Sequence, residues 1–397
     1  MKILQISPQV PFPLDNGGRI GIYGIAKYLA NRGHEIDFVC YRKETDYNYA
    51  YNELSLFSKP EILDVQTENN PVKALLNLFS DVPYNISKFF SVELEQFLRK
   101  YFKNNNPDII HIDHLHMGWC ISILRELTNA PIALREHNLE YKIMQRYSEK
   151  AHNPLIKKYS DIQFRKLKKY EISLCEKFDL CTMVSEEDES VLKCLNPKTK
   201  TLTIPAGVSS SLLDLQCSKI LPFTIAHIGD MSWLPNYDGL TWYLNEVFPE
   251  VIKKIPQIML YLYGKGNENL KIPEFLKHNI TVVGYVKNIW DQLLDKQLCI
   301  VPLRVGSGIR IKILEMMAAG KSILSTSIGK EGIQVNDMNE ILIADGPAEF
   351  IDKTVKFFDG KFDTKIMTEK SKDFVRENYI WEVISGKFEK AYLDLLV

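Results

Sequence analysis

Short apolar runs alternate with amphipathic stretches along most of this chain. Lys2-Ile3-Leu4-Gln5-Ile6-Ser7 has the pattern of a buried strand, and a proline-rich turn ending in Asn16-Gly17-Gly18 follows it. Ile22, Ile25, Ala26 and Leu29 then fall at i, i+3, i+4 and i+7, the spacing of one helix face. Gly33 stops that helix, and the strand pattern resumes over Ile36 to Cys40. A strand–helix–strand unit of this kind implies parallel pairing. Further strands are expected at 108–112, 132–135 and 180–184, which makes the first half Rossmann-like.

After Thr203-Ile204-Pro205-Ala206-Gly207-Val208 a polar, irregular stretch runs to Pro222, and the alternation restarts at Phe223. Strands are expected at 223–228, 259–263, 281–283, 298–301 and 322–325, again in parallel. The chain therefore divides into an N-terminal domain (1–207), a C-terminal domain (208–380) and a last helix (381–397) that packs back on the first domain. Two α/β domains with parallel sheets place their ligand crevices at the carboxyl ends of the strands, facing a central cleft.

Composition narrows the partners. The 397 residues carry 49 Lys+Arg against 50 Asp+Glu, a formal net charge of -1, so no global field favours nucleic acid. Seven scattered cysteines without a Cys-x-x-Cys pair read as reduced, mostly buried thiols. Neither a signal peptide nor a membrane-spanning apolar run is present, and a cytoplasmic location is expected.

Two glycine-rich turns carry the candidate chemistry. At Gly17-Gly18 the backbone can approach a ligand closely, and the amides of the helix start can donate to a phosphate; the same pair could equally form a tight turn and nothing more. The second turn says more: Gly306-Ser307-Gly308-Ile309-Arg310 lies between an expected strand and a helix that ends at Gly320. Lys312 and Glu315, three apart, share a face of that helix. A carboxylate there can accept from ribose hydroxyls, while Lys312 and Arg310 can neutralise phosphates. No Asp-any-Asp triplet occurs, so no metal-clamped diphosphate is expected, and neither a metal nor a cofactor beyond the donor substrate itself.

The segment Gly306-Ser307-Gly308-Ile309-Arg310-Ile311-Lys312-Ile313-Leu314-Glu315 resembles the signature of the retaining glycosyltransferase family 4, in its Gly-Ser-Gly-Ile-Arg-x-Lys-x-Leu-Glu branch. Other stretches extend the resemblance over nearly the whole chain: Gly17-Gly18, Asp108 to His111, Glu136-His137-Asn138, Val184-Ser185-Glu186, Ile204 to Val208, Gly229 to Asn236, Gly284-Tyr285-Val286 and Tyr379-Ile380-Trp381. The resemblance implies the two-domain GT-B fold and a nucleotide-sugar donor held around Ser307, Gly308 and Ile309. It implies that Glu315 holds the ribose, that the Gly17-Gly18 amides lie near the diphosphate and that Tyr285 and Val286 flank the base. His137 corresponds to the histidine that faces the reacting sugar. Two departures stand out. Many members carry a second glutamate where this chain has Ser307, and an Arg and a Lys where it has Asp230 and Asn236.

Transfer of a sugar builds charge on the departing diphosphate, and fixed donors aimed there are the main catalytic requirement. Gly17, Gly18, Arg310 and Lys312 are the candidates, with His137, Arg310 and Lys312 as the catalytic set. The resemblance implies a glycan or lipid-linked acceptor, in cell-surface polysaccharide or glycoconjugate synthesis. Lys157, Lys158, Arg165, Lys166, Lys168 and Lys169 cluster on one expected helix, which reads as a solvated face or, alternatively, as a peripheral contact with the inner membrane face. The fold and donor pocket would also suit a sugar-nucleotide epimerase, and Ser307 at the usual glutamate position would suit a non-catalytic nucleotide-sugar-binding subunit.

Overall fold

The structure, a computed structural model, describes residues 1–14, 17–42, 46–150, 153–217, 219–306 and 308–397. It contains two compact units, Met1–Ala206 with Ile384–Val397 and Gly207–Val383.

The first unit is built on seven strands: β1 (Lys2–Ser7), β2 (Glu35–Arg42), β3 (Lys59–Asp64), β4 (Ile109–Asp113), β5 (Ile132–Glu136), β6 (Leu180–Met183) and β7 (Thr201–Thr203). Their order is β3-β2-β1-β4-β5-β6-β7, and every pairing is parallel. The central strand β1 sets the register, with Ile3 opposite Ile36 on one side and Ile109 on the other. Apolar runs suit this position, because a central parallel strand is covered on both faces. The edge strands β3 and β7 had no clear signal in the sequence: Lys59-Pro60-Glu61-Ile62-Leu63-Asp64 and Thr201-Leu202-Thr203 are short and half polar, as exposed edges are.

The helix Gly17–Asn31 buries Ile22, Ile25, Ala26 and Leu29. It ends at Gly33, whose φ of 88° lets the His34 amide reach back to the Leu29 carbonyl at 3.2 Å. The last helix, Trp381–Leu396, contributes Phe388 and Tyr392 to the core of this unit. Its Glu389 accepts from Arg32 Nε at 2.8 Å and lies 2.9 Å from His34 Nε2.

The second unit repeats the scheme with β8 (Thr224–Ile228), β9 (Met259–Tyr263), β10 (Ile280–Gly284), β11 (Leu298–Val301), β12 (Ser322–Ser325) and β13 (Leu342–Ile343), in the order β10-β9-β8-β11-β12-β13. Alternate residues of one strand feed separate cores, as the two-residue period requires: Leu298 and Ile300 pack in one, Cys299 and Val301 in the other. The stretch after Val208, irregular in sequence, holds a 3₁₀ turn at Ser210–Asp214, and its Leu212 is buried in the second of these cores. Among the described residues no helix is long and apolar enough to cross a membrane.

In each sheet the chain moves outward from its first strand and then returns to that strand's other side. The loops leaving β1 and β4, and those leaving β8 and β11, therefore diverge and leave a crevice at the strands' carboxyl ends.

Candidate functional site

In the second unit the helix Ile311–Ala318 starts from that crevice. Gly306 and Gly308, with φ of 133° and 82°, turn the chain sharply between β11 and the helix, a backbone that residues with a Cβ rarely adopt. Arg310, buried just before the helix, donates from Nη1 to the Gly308 carbonyl at 2.9 Å and packs its guanidinium 5.2 Å from the centre of the Trp233 ring. Ile309 packs against the core beneath. The helix ends as its sequence indicates, with Gly320 at φ 67° and the Lys321 amide bonded to the Met316 carbonyl at 2.9 Å.

Lys312 is not a solvated helix lysine. It is half-buried, and Nζ donates to the Ile228 carbonyl at 2.8 Å and to Asn236 Oδ1 at 3.1 Å. The other end of the same amide donates to the Asp230 carbonyl at 3.0 Å, which fixes its orientation. Burial, with Arg310 adding to it, lowers the Lys312 pKa to about 7. Glu315, also half-buried, is raised to about 7 by burial. Among the described residues no anion faces the lysine and no hydrogen-bond donor faces the carboxylate, the groups that would restore their charge. Asn236 explains one departure from the family pattern: a lysine at that position would repel Lys312, whereas the amide oxygen holds it.

Tyr285 and Val286 follow Gly284 (φ 79°) at the end of β10. Tyr285 is exposed with Lys265 Nζ 5.2 Å from its ring centre, while Val286 packs into the core. An exposed ring on a short turn offers a stacking surface for a base. Ser307 lies outside the described residues.

In the first unit Gly17 and Gly18 open the Gly17–Asn31 helix. Its third glycine, Gly21, had no role in the sequence reading. A Cβ there would lie 2.6 Å from Arg135 Nη1 and 3.2 Å from His137 Cε1, so the helix approaches both side chains as closely as a glycine allows. His137 follows β5, and its Nε2 is 3.2 Å from Arg135 Nη1 and 3.4 Å from Asp113 Oδ1. Burial and the neighbouring Arg135 lower its pKa to about 4. Nε2 of the neutral ring thus stands between a guanidinium that can only donate and a carboxylate that can only accept.

Asp113, fully buried at the end of β4, anchors this group. Gln5 donates to it at 2.7 Å, His111 Nε2 lies at 3.3 Å and Arg135 Nη1 at 3.7 Å. Burial alone would raise its pKa, but His111, His137 and Arg135 together hold it well below the usual carboxylate range. Tyr392 of the last helix closes the chain, its hydroxyl 2.5 Å from His111 Nδ1. The sequence reading missed Gln5, Asp113, Arg135 and Tyr392. The alternation His111–Asp113 along β4, two polar groups on one face of an apolar strand, was the available signal.

His114 has the unusual backbone pair φ 66°, ψ 141°, and its ring stacks on His137 with centres 3.7 Å apart. Donor atoms of His114, His116 and Glu140 all lie within 4.8 Å of one another, the one set among the described residues whose side chains could ligate a metal ion. The sequence reading assigned no metal ligands, although the His-x-His spacing was visible.

Residues 16–212 match the family described as "Glycosyltransferase Family 4", and residues 222–359 match that described as "Glycosyl transferases group 1". An uncharacterized 44.6 kDa protein from the cps region of Klebsiella pneumoniae is 25% identical over 401 residues, which cover 95% of this chain and 96% of that one. Among solved structures, sucrose-phosphate synthase from Thermosynechococcus elongatus superposes with a TM-score of 0.68 at 16% identity, covering 100% of this chain and 99% of that one. HepE from Anabaena in complex with UDP gives a TM-score of 0.67 at 12% identity over 99% and 100% of the two chains. HepE has also been solved in complex with UDP-glucose. These likenesses identify the two-unit architecture as GT-B.

The His137 environment is directly measurable. Its imidazole resonances should titrate with a midpoint near pH 4, leaving the ring neutral throughout the physiological range; a midpoint near the ordinary 6.5 would show that Arg135 and burial do not govern it.

Proposed function

This chain belongs to glycosyltransferase family 4, and from that premise we propose that it transfers a sugar from a nucleoside diphosphate to a glycan or lipid-linked acceptor, retaining anomeric configuration. The observation that carries the reading is the Lys312 ammonium, held at the point where the strand order of the second sheet reverses, beside Arg310 and a glycine turn. A diphosphate is the ligand that such a group of donors suits. The UDP and UDP-glucose bound by HepE support a nucleotide-sugar donor, and the cps location of the Klebsiella relative supports cell-surface polysaccharide synthesis.

In the proposed reaction the bond between the anomeric carbon and a phosphate oxygen breaks, and the acceptor oxygen bonds to that carbon from the same face. The acceptor proton passes to the departing phosphate oxygen. Negative charge grows on the diphosphate, so Lys312 and Arg310 interact more strongly with the transition state than with the bound donor. Glu315 accepts from the ribose hydroxyls, and Tyr285 stacks on the base. The Gly17 and Gly18 amides donate to the diphosphate. Neutral His137 orients a sugar hydroxyl. With a lipid-linked acceptor the enzyme works at the inner face of a membrane.

Three outcomes test this reading. Glu315→Ala should weaken donor binding by about 1.5–3 kcal/mol, the range for hydrogen bonds to charged groups; unchanged affinity by calorimetry in a folded variant would remove Glu315 from the site. Lys312→Ala should lower kcat at saturating donor on the order of 10²–10³-fold. It should also cost about 1–3 kcal/mol of stability, because the Ile228 carbonyl and Asn236 lose their donor. Near-normal kcat would contradict the assignment. Transfer should continue in EDTA, since protein cations balance the diphosphate. Loss of activity restored by a divalent cation would oppose this and direct attention to His114, His116 and Glu140.

A further inference from the structure

The helix Pro71–Leu76 and the 3₁₀ turn Asn77–Phe79 behave unlike any ordinary surface element of this fold. An amphipathic helix is normally held by burying its apolar face. Here no residue of the helix is buried. Its apolar side chains point outward, with exposures of 67% for Val72, 62% for Leu75, 64% for Leu76 and 92% for Phe79.

Polar contacts hold the segment instead. Asn70 caps the helix, accepting from the Val72 and Lys73 amides at 3.0 Å each, and the Asn70 amide donates to the Tyr84 hydroxyl at 2.6 Å. At the other end Lys166 Nζ donates to the carbonyls of Asn77, Leu78 and Ser80 at 2.8, 3.0 and 2.5 Å. Gln163 Nε2 donates to Asn77 Oδ1 at 3.0 Å. Lys166 and Gln163 belong to the long helix Pro154–Cys175, so one of the lysines in the basic cluster is a strut rather than a surface charge. Lys168, lying 5.4 Å from the Tyr141 ring centre, is another with an internal partner.

The remaining cations of the cluster, Lys157, Lys158, Arg165 and Lys169, are exposed. Leu155 and Ile156, next to Lys157, are exposed as well, at 80% and 45%. The middle of the long helix is tied to the apolar segment through Tyr84, whose amide donates to Gln163 Oε1 at 2.9 Å and whose hydroxyl donates to the Asn70 carbonyl at 3.2 Å. Lys73 stands within the apolar segment and Lys88 donates to Asn69 at its foot, against the exposed acids Glu68 and Asp81. The surface thus combines outward leucines and a phenylalanine with an excess of cations.

We propose that this surface, formed by Pro71–Phe79 and the first turns of Pro154–Cys175, docks the protein on an anionic phospholipid bilayer. Phe79, Leu75 and Leu76 enter the interface between headgroups and acyl chains, and Lys73, Lys157 and Lys158 meet lipid phosphates. A protein partner would be expected to cover a broader surface with hydrogen-bonding groups at its rim, whereas protruding apolar tips among lysines match a lipid interface. The inference extends the reading of a membrane-borne acceptor, on which its purpose rests, but binding can be measured apart from sugar transfer.

The test is flotation of the full chain with phosphatidylcholine vesicles, with and without phosphatidylglycerol. The wild type should float with the anionic vesicles and much less with the neutral ones. The triple variant Leu75→Ser, Leu76→Ser, Phe79→Ser should lose about tenfold in binding, with an unchanged melting curve because none of the three is buried. Lys157→Glu with Lys158→Glu should reduce binding to anionic vesicles selectively. Donor binding by calorimetry should be unaltered in both variants, which separates failure of this surface from failure of the proposed transferase reaction. Absence of the wild type from anionic vesicles, equal binding to both kinds of vesicle, or undiminished binding by the triple variant would overturn the proposal. So would a wild-type dimer that the triple variant converts to monomer without any vesicle binding.

Discussion

An ammonium group drawn partly out of water must be surrounded by acceptors or give up its charge, and the second unit is arranged around that constraint at Lys312. The Ile228 carbonyl at the end of β8 and the Asn236 amide take two of its three protons. Those acceptors come from the first strand of the sheet and from the helix that follows it, while the lysine comes from the helix after β11. The contact therefore spans the place where the strand order reverses. The pKa of about 7 indicates that two neutral acceptors are not enough to restore a normal lysine. Ground-state under-compensation of this kind leaves the third proton, and a large electrostatic gain, for an anion.

The first unit meets a similar constraint with the opposite sign at the corresponding position of its own sheet. Asp113 at the end of β4 is buried, and Gln5 from β1, His111 from β4 and Arg135 from β5 converge on it. These partners fix the orientation of His137, and the last helix supports the arrangement from outside through Tyr392 and His111. Gly21 completes the geometry by leaving room for the guanidinium and the imidazole against the helix. A rigid, neutral histidine held in this way is suited to directing a substrate hydroxyl rather than to shuttling protons at physiological pH.

Much of the fold was legible because it depends on strong local patterns. The central strands are continuous apolar runs, the helix stops are glycines, and the turn from Gly306 to Arg310 can be recognised from glycines that the backbone angles then require. The edge strands β3, β7 and β13 were not legible, since a strand exposed along one side needs neither length nor continuous apolarity. At the candidate sites the sequence pointed to the glycine turns, Lys312, Glu315 and His137, but not to what those groups touch. The i, i+3 spacing of Lys312 and Glu315 showed a shared helix face but no partner for the lysine; its acceptors, Ile228 and Asn236, lie more than seventy residues earlier. Gln5, Asp113 and Tyr392 were hidden for the same reason, as their grouping depends on strand order and on the return of the last helix.

Diphosphate completes the charge of Lys312 in the proposed complex, and proton linkage measures this directly. UDP binding should be followed by calorimetry at pH 8 in buffers of different ionisation enthalpy. At that pH a lysine with a pKa of about 7 is mostly neutral and Glu315, with a similar value, is mostly ionised. Binding should therefore take up a large fraction of a proton, and Lys312→Met should abolish the uptake while leaving the protein folded. Tight UDP binding with no proton uptake in the wild type would contradict that role of Lys312.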